Sequence, residues 1–391
     1  MRRLLGKRLH KYLYDQKMAF RKWRVRTKRE IGLFALGLPR KLSKTAFLIG
    51  PTNSANQGRE WTRALIQSGA QAESLRISSD PGAEWFTTDI SIAREDWLKF
   101  PRRLELARHV AKSKDIVLFE SLRPMFRLEN IRNGEHQVLE DIDLMQKIGK
   151  KVGVIFHGSD IRDVDAHAVR SPFSPFRSGK PEIEDLRKRS NENRDILPTL
   201  RTKRIPLFVS TLDLLHEIPD AHWLPVVIDF EAFNKVAKSN PIYSGAKLRV
   251  LYLPSRSWLK SAELIVPVLE KLQSEGIIEF IYPAPVPHDQ IPELLKDADL
   301  VIDQYLGVIG VLPIEALAAG RLMMSYVPED YSHAGVQEIP IISITPDTLE
   351  SEIRRVAMEK PLPTGGVEFA QKWHDGRMSA SVLKKVFRAR F

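Results

Sequence analysis

The sequence contains no cysteine. Disulfide bonds, thiolate metal sites and a cysteine nucleophile are therefore excluded, and a reducing compartment is the natural expectation. No apolar run approaches the roughly 18 residues that a membrane span requires. GLFALGL (32–38) is the only hydrophobic patch near the start, and it follows dense charge without a plausible cleavage site, so no secretory signal is expected. Fixed-period repeats are absent. The body shows no nucleic-acid recognition motif, and nucleic acid is not an expected partner. Acidic residues are scarce in the first 44 positions, where 15 Lys and Arg face only Asp15 and Glu30.

That imbalance accounts for the net charge of +11, because the remaining 347 residues carry 45 basic and 47 acidic groups. The basicity belongs to an arm. On a helical wheel Leu5, Leu9, Tyr12, Leu13, Ala19, Phe20 and Trp23 share one face, while Lys7, Arg8, Lys11, Arg21, Lys22 and Arg26 lie mostly away from it. A basic amphipathic helix of this kind lies in an anionic membrane interface, so residues 1–30 are expected to meet such a surface. Packing on the protein itself is the alternative.

The other residues number enough for two domains of ordinary size. TAFLIG (45–50), ESLRI (73–77), DIVLFE (115–120), KVGVIF (151–156) and IPLFVS (205–210) read as strands, with helices between them. LPVVIDFEAF (224–233) has a strand-like start, then turns polar as a domain crossing. From Leu248 strand-like runs again alternate with helical patterns: LRVLYL (248–253), IIEFIY (277–282), LVID (300–303), LMMSYV (322–327) and IPIISI (339–344). Such alternation implies parallel sheets covered on both faces, with ligands bound beyond the carboxyl ends of the strands. The expected divisions are an arm (1–44), an N-terminal Rossmann-like domain (45–240), a C-terminal one (241–365) and terminal helices (366–391).

The stretch DLVIDQYLGVIGVLPIEALAAG (299–320) organises the second half. A strand is followed by a loop with Gly307 and Gly310, and the spacing predicts a helix starting at Pro313 and ending before Gly320. Glu315 is thereby expected in the first turn, where backbone N–H groups and a carboxylate could together hold a phosphate and a sugar diol. It could equally complement its own helix dipole. Pro254 to Lys260 follows a strand too, and so should face the same crevice. In the first half, Gln57 and Gly58 stand where a βα loop enters its helix.

FHGSDIRDVDAHAVRSPFSPFRSG (156–179) is the most chemically loaded loop. His157, Asp160, Asp163, Asp165 and His167 admit three readings: a metal site, a catalytic pair of His157 and Asp160 at the interdomain cleft, or turn and helix caps.

Taken in order, FHGSDIR, LPVVIDFEAF, LYLPSRSWLKSAELI and GVLPIEALAAG resemble the retaining glycosyltransferases of group 1, also called family 4, which have the two-domain GT-B fold. The resemblance covers roughly residues 45–391. It implies an α/β protein of two Rossmann-like domains facing a central cleft, preceded by the basic amphipathic helix. It also implies an enzyme that transfers a sugar from a nucleotide diphosphate-sugar to an acceptor with retention, without cofactor or metal. By position, Glu315 matches the carboxylate for the donor's ribose, Lys260 and Arg256 the cations on its diphosphate, and Gly310 the backbone facing that diphosphate. His157 matches the histidine near the transferred sugar, with Asp160 beside it, and Gln57 and Gly58 match the loop approaching donor and acceptor. The chain departs from the family at Gly307, where a glutamate that contacts the sugar is usual, and in the shorter interval from Arg256 to Lys260. The arm points to a membrane glycolipid or surface polysaccharide as acceptor, and to a cytoplasmic protein at the inner face of the cell membrane. Two other readings stand: a non-catalytic GT-B binding protein at the membrane, and a metal-dependent enzyme built on the 157–167 loop.

Overall fold

Strand β1 (Ala46–Gly50) is apolar throughout and wholly buried, as are β4 (Ile116–Glu120) and nearly all of β5 (Lys151–Phe156). Continuous apolar runs of this kind suit strands covered on both faces, and a parallel sheet needs that cover. The computed structural model describes residues 44–79, 86–128, 137–284, 286–329, 331, 336 and 338–391. The basic amphipathic helix expected in the arm lies outside them.

With β2 (Gln71–Ser78), β3 (Ile90–Ala93), β6 (Leu207–Val209) and β7 (His222–Trp223), these strands form a seven-stranded sheet in the order β3-β2-β1-β4-β5-β6-β7. A five-stranded sheet follows, ordered β12-β11-β10-β8-β9, from β8 (Leu248–Tyr252), β9 (Ile278–Ile281), β10 (Leu300–Ile302), β11 (Leu322–Ser325) and β12 (Ile342–Ser343). Every pairing is parallel. The strand order reverses between β1 and β4 in the first sheet and between β8 and β10 in the second, so each sheet opens a crevice there.

Alternate residues of the first sheet feed two cores. Leu48, Val117, Phe119, Val154 and Phe156 face one way, towards α3 (Phe100–Ser113) and α4 (Gln137–Lys147). Phe47, Ile49, Ile116, Leu118 and Phe208 face the other, against Trp61 and Leu65 of α1 (Gln57–Gln67) and Leu383 and Phe387 of the last helix, α13 (Arg377–Phe387). The second sheet repeats the scheme. Leu251, Val301 and Met323 pack on α7 (Phe230–Ser239), α10 (Val311–Ala318) and α12 (Gly366–His374), while Val250, Tyr252 and Ile302 pack on α8 (Ala262–Ser274) and α11 (Leu349–Glu359). Remaining helices are the short α2 (Arg94–Trp97), α5 (Val164–Arg170), α6 (Pro181–Thr202) and α9 (Ile291–Lys296).

Four local expectations are corrected. Helix α10 begins at Val311, two residues before Pro313, because a first-turn residue needs no N–H for the helix ladder. Glu315 consequently lies in the second turn. Residues 224–228 form no strand; their apolar side chains are buried as a crossing segment. The strand in 339–344 shrinks to Ile342–Ser343.

The chain crosses between domains twice, at 224–229 and again between α12 and α13. The crossings are bonded together: His374 Nδ1 meets Val226 O at 2.8 Å, Ile228 N donates to His374 O at 3.0 Å, and Ser379 Oγ donates to Pro225 O at 2.7 Å.

Candidate active site

The crevice of the first domain is built around a residue that ends β4. Glu120 is fully buried, and its Oε2 accepts hydrogen bonds from Thr52 N (3.0 Å) and Asn53 N (2.8 Å) in the loop after β1. That loop holds Asn53, Ala55 and Asn56 at positive φ (50°, 48° and 63°), a conformation costly for residues with a side chain unless the surroundings enforce it. The buried carboxylate enforces it here. A Cβ at Gly58 would lie 3.2 Å from Asn53 Oδ1 and 3.4 Å from Glu120 Oε2, so the small residue lets the loop close.

Oε1 of Glu120 faces His157 Nε2 at 3.0 Å, and the imidazole stacks on Trp61 with ring centroids 5.6 Å apart. Burial works against a charged ring, but the hydrogen bond and charge of Glu120, aided by Asp160, outweigh it and raise the histidine's pKa above the ordinary value. Among the described residues Nδ1 makes no hydrogen bond. Asp160 is occupied differently: its carboxylate accepts from His157 N (3.0 and 3.1 Å) and Gly158 N (2.7 Å). This fixes the loop that carries His157. Gln57 is also spoken for, since its amide accepts from Val227 N at 2.7 Å and donates to Val227 O at 3.0 Å, stitching α1 to the first crossing.

In the second domain, Lys260 and Asp303 follow β8 and β10, the two strands of the reversal, and form an ion pair across it. Tyr252 donates to Lys260 O at 2.8 Å and keeps that backbone in place. Arg256 is exposed and makes no ion pair among the described residues. Gly310 caps α10 with open space on its Cα, so a ligand can approach that backbone closely. Glu315 is buried, and its Oε1 lies 2.6 Å from Nε2 of His288. Burial disfavours the charge on His288, yet the bond and charge of Glu315, then those of Glu60 and Asp289, raise its pKa overall.

His288 also reaches the other domain, where Phe86 lies 5.3 Å away between ring centroids. At a second meeting point His167 Nε2 lies 3.0 Å from Leu306 O and Nδ1 lies 2.8 Å from Ser174 Oγ. Burial, with Arg162 nearby, pushes its pKa down to about 3, so the ring is neutral. Val164, Phe176, Ile183 and Leu186 pack there against Leu306. The carboxylates of the loop diverge: Asp163 caps α5 through Asp165 N and Ala166 N, and Asp165 pairs with Arg187. Among the described residues no group of three or more His, Asp or Glu is placed to hold a metal ion.

No protein-family model matches the sequence, and no curated protein does. Solved structures share the architecture. Sucrose-phosphate synthase from Thermosynechococcus elongatus matches with a TM-score of 0.55 over 88% of this chain and 98% of its own, at 13% identity. The Anabaena protein HepE in complex with UDP-glucose matches at 0.53 over 88% and 100%, at 9% identity, and a glycosyltransferase from Rickettsia africae at 0.53 over 89% and 100%, at 13%. The chain has the GT-B fold. Within it, Lys260 follows β8, and Gly310 and Glu315 follow β10, the two strands of the second sheet's reversal, while His157 and Gly58 both border Glu120 in the first domain.

Two site residues escaped sequence reasoning. Glu120 carried a signal, as the lone charge closing an otherwise apolar strand. His288 carried none, because its meaning depends on the fold returning it to Glu315.

Gly307, where the GT-B family pattern has a glutamate, sits at φ +76°, and a Cβ there would lie 2.9 Å from Pro328 Cγ. This corner cannot host a larger residue on its present backbone.

Proposed function

We propose that the chain is a retaining, metal-independent glycosyltransferase that moves a sugar from a nucleotide diphosphate-sugar to an acceptor. What supports this reading is that Lys260 pairs with Asp303 across the strand reversal of the second sheet, while the open Gly310 backbone and buried Glu315 belong to the helix that follows β10. HepE, a structure of the same fold, holds UDP-glucose. Here Glu315 accepts from the ribose hydroxyls once His288 releases it. Lys260, pre-oriented by Asp303, grips the diphosphate with Arg256 and the amides after Gly310. Charge accumulates on that diphosphate as the glycosidic bond breaks, so fixed cations stabilise the transition state more than the ground state. His157, its pKa raised by its pairing with Glu120, offers Nδ1 to the transferred sugar, and Asp160 positions it.

The acceptor in this reading is a membrane glycolipid or surface polysaccharide, met at the inner face of the cell membrane by the basic arm. Among the described residues no helix is long and apolar enough to cross a membrane. Deleting residues 1–40 should abolish binding to anionic liposomes, and unchanged binding refutes that role for the arm.

The first test is thermal stabilisation by UDP, GDP, ADP, CMP and dTDP, with EDTA present. A nucleotide at about 100 times its Kd adds about 2.7 kcal/mol of stability. One diphosphate should stabilise the wild type and neither Glu315→Ala nor Lys260→Ala; no response to any nucleotide removes the assignment. Gly307 favours one rival, a GT-B protein that binds without turnover. That rival predicts nucleotide binding but no sugar transfer. Activity lost to EDTA and restored by manganese would count against metal independence.

A further inference from the structure

Beside the first-domain crevice three arginines stand on segments that are bonded to one another. Arg123 follows Glu120 in a tight turn, its N–H donating to Glu120 O at 3.0 Å. Arg94 opens α2, and that helix is fastened next to Arg123 because Trp97 Nε1 donates to Met125 O at 2.6 Å. Arg189 stands one turn before Asn193 on α6, and Asn193 Nδ2 donates to Asp160 O at 2.7 Å. Each arginine is thus tied, through one or two residues, to the Glu120, His157 and Asp160 corner.

All three are exposed, and none makes an ion pair among the described residues. Elsewhere arginines of this chain find partners, as Arg162 does in Asp213 and Arg249 in Asp299. Asp160 and Glu192 pull on Arg123 from nearby, but neither forms an ion pair with it among the described residues, and the Asp160 carboxylate is engaged by two backbone N–H groups. Desolvation first, then the charge of Arg189 and that of Arg94, lower the pKa of Arg123, against the pull of Asp160 and Glu192. The segment bearing Arg123 is also held stiffly. Ser121, Leu122 and Arg127 have positive φ, and Asp141 accepts from the N–H groups of Met125, Phe126 and Arg127 at 2.7 to 2.8 Å. Like charges on neighbouring, stiffly held segments repel unless an anion lies between them, so the arrangement suits an anion.

We infer that Arg94, Arg123 and Arg189 form a subsite for an oxyanion, a phosphate or carboxylate, carried by the acceptor. This rests on the transferase reading for the word acceptor, but the anion site itself is testable without it. A planar guanidinium can bind such a group bidentately, and a patch of three cations selects against neutral sugars. The subsite is built from first-domain residues, whereas Lys260 and Arg256 belong to the second domain.

The test is calorimetric binding of glucose 6-phosphate, glucuronate and glucose to the full chain, to R123Q/R189Q, to R123K and to K260A. The basic arm is common to all four proteins, so its nonspecific attraction cancels. At least one anionic sugar should bind the wild type about tenfold or more tightly than glucose, a preference the double variant loses, R123K partly keeps and K260A retains. Which anion binds better tells phosphate from carboxylate. Equal binding of all three sugars, an unchanged double variant, or a preference lost only in K260A overturns the inference. The UDP response of R123Q/R189Q should match that of the wild type. A wild type blind to nucleotides but selective for anionic sugars would refute the transferase reading and leave the subsite standing.

Discussion

Replacing Glu120 by glutamine removes one charge and almost no volume. Three hydrogen bonds converge on this carboxylate, two from backbone N–H groups and one from His157. In the variant the amide oxygen still accepts from Thr52 and Asn53, while the amide nitrogen faces Nε2 and donates to a neutral imidazole. Each bond then falls from about 1.5–3 kcal/mol to about 0.5–1.5 kcal/mol, and part of that loss is offset because a buried charge no longer has to be desolvated. A net loss of about 1–2 kcal/mol is expected, which lowers the Tm by about 1–2.5 °C in a chain of this size. The pH dependence is more telling. His157 has a raised pKa in the folded chain, so its contribution is complete below about 6.5, the unfolded value, and fades as pH rises through the folded one. The gap between wild type and variant should therefore be widest below about pH 6.5 and narrow as pH rises through the raised His157 pKa. Denaturation across that range, with NMR titration of the His157 ring, checks both halves. A constant gap, or a His157 that titrates identically in the two proteins, refutes the account.

Two further outcomes follow from the second domain. Because charged His288 competes for Glu315, nucleotide binding should tighten as pH rises through the raised His288 pKa, and His288→Ala should flatten that dependence in calorimetry; an unaltered dependence would show that His288 does not compete. Gly307→Ala should cost about 2–3 kcal/mol, from the left-handed backbone and the contact with Pro328, measured as a lower denaturation midpoint; a neutral substitution would mean that the corner relaxes freely.

The strands of both sheets could be read because their apolar runs are long and their neighbours polar, and Lys260, Gly310 and Glu315 could be placed because each follows such a run. Helix α6 could not: its 22 residues bury only six side chains, and its polar sequence hides the periodicity. Strands β3 and β7 are too short to stand out, at four and two residues. The start of α10 was misjudged because proline marks a first turn without saying which residue of it. In the site, Asp160 carries the chemistry of a catalytic acid in the sequence and the geometry of a loop cap in the fold. Only the backbone N–H groups of His157 and Gly158 tell the two apart. Arg94, Arg123 and Arg189 belong to three separate segments, and no spacing along the chain links them.

The last helix has a consequence for how the protein is made. Ala380, Leu383 and Phe387 fill one core of the first domain, and near the end of the chain Arg390 O accepts from Thr45 N at 3.0 Å while Arg390 N donates to Thr45 Oγ1 at 2.8 Å. Domains emerging from a ribosome generally fold in the order in which they are synthesised. This one cannot. The second domain can close its sheet while the first still lacks part of its apolar filling, so the domain begun first is the one completed last. A nascent chain stalled short of α13 would expose Phe47, Ile49 and Leu118 along one sheet face, and chaperones would find their target there.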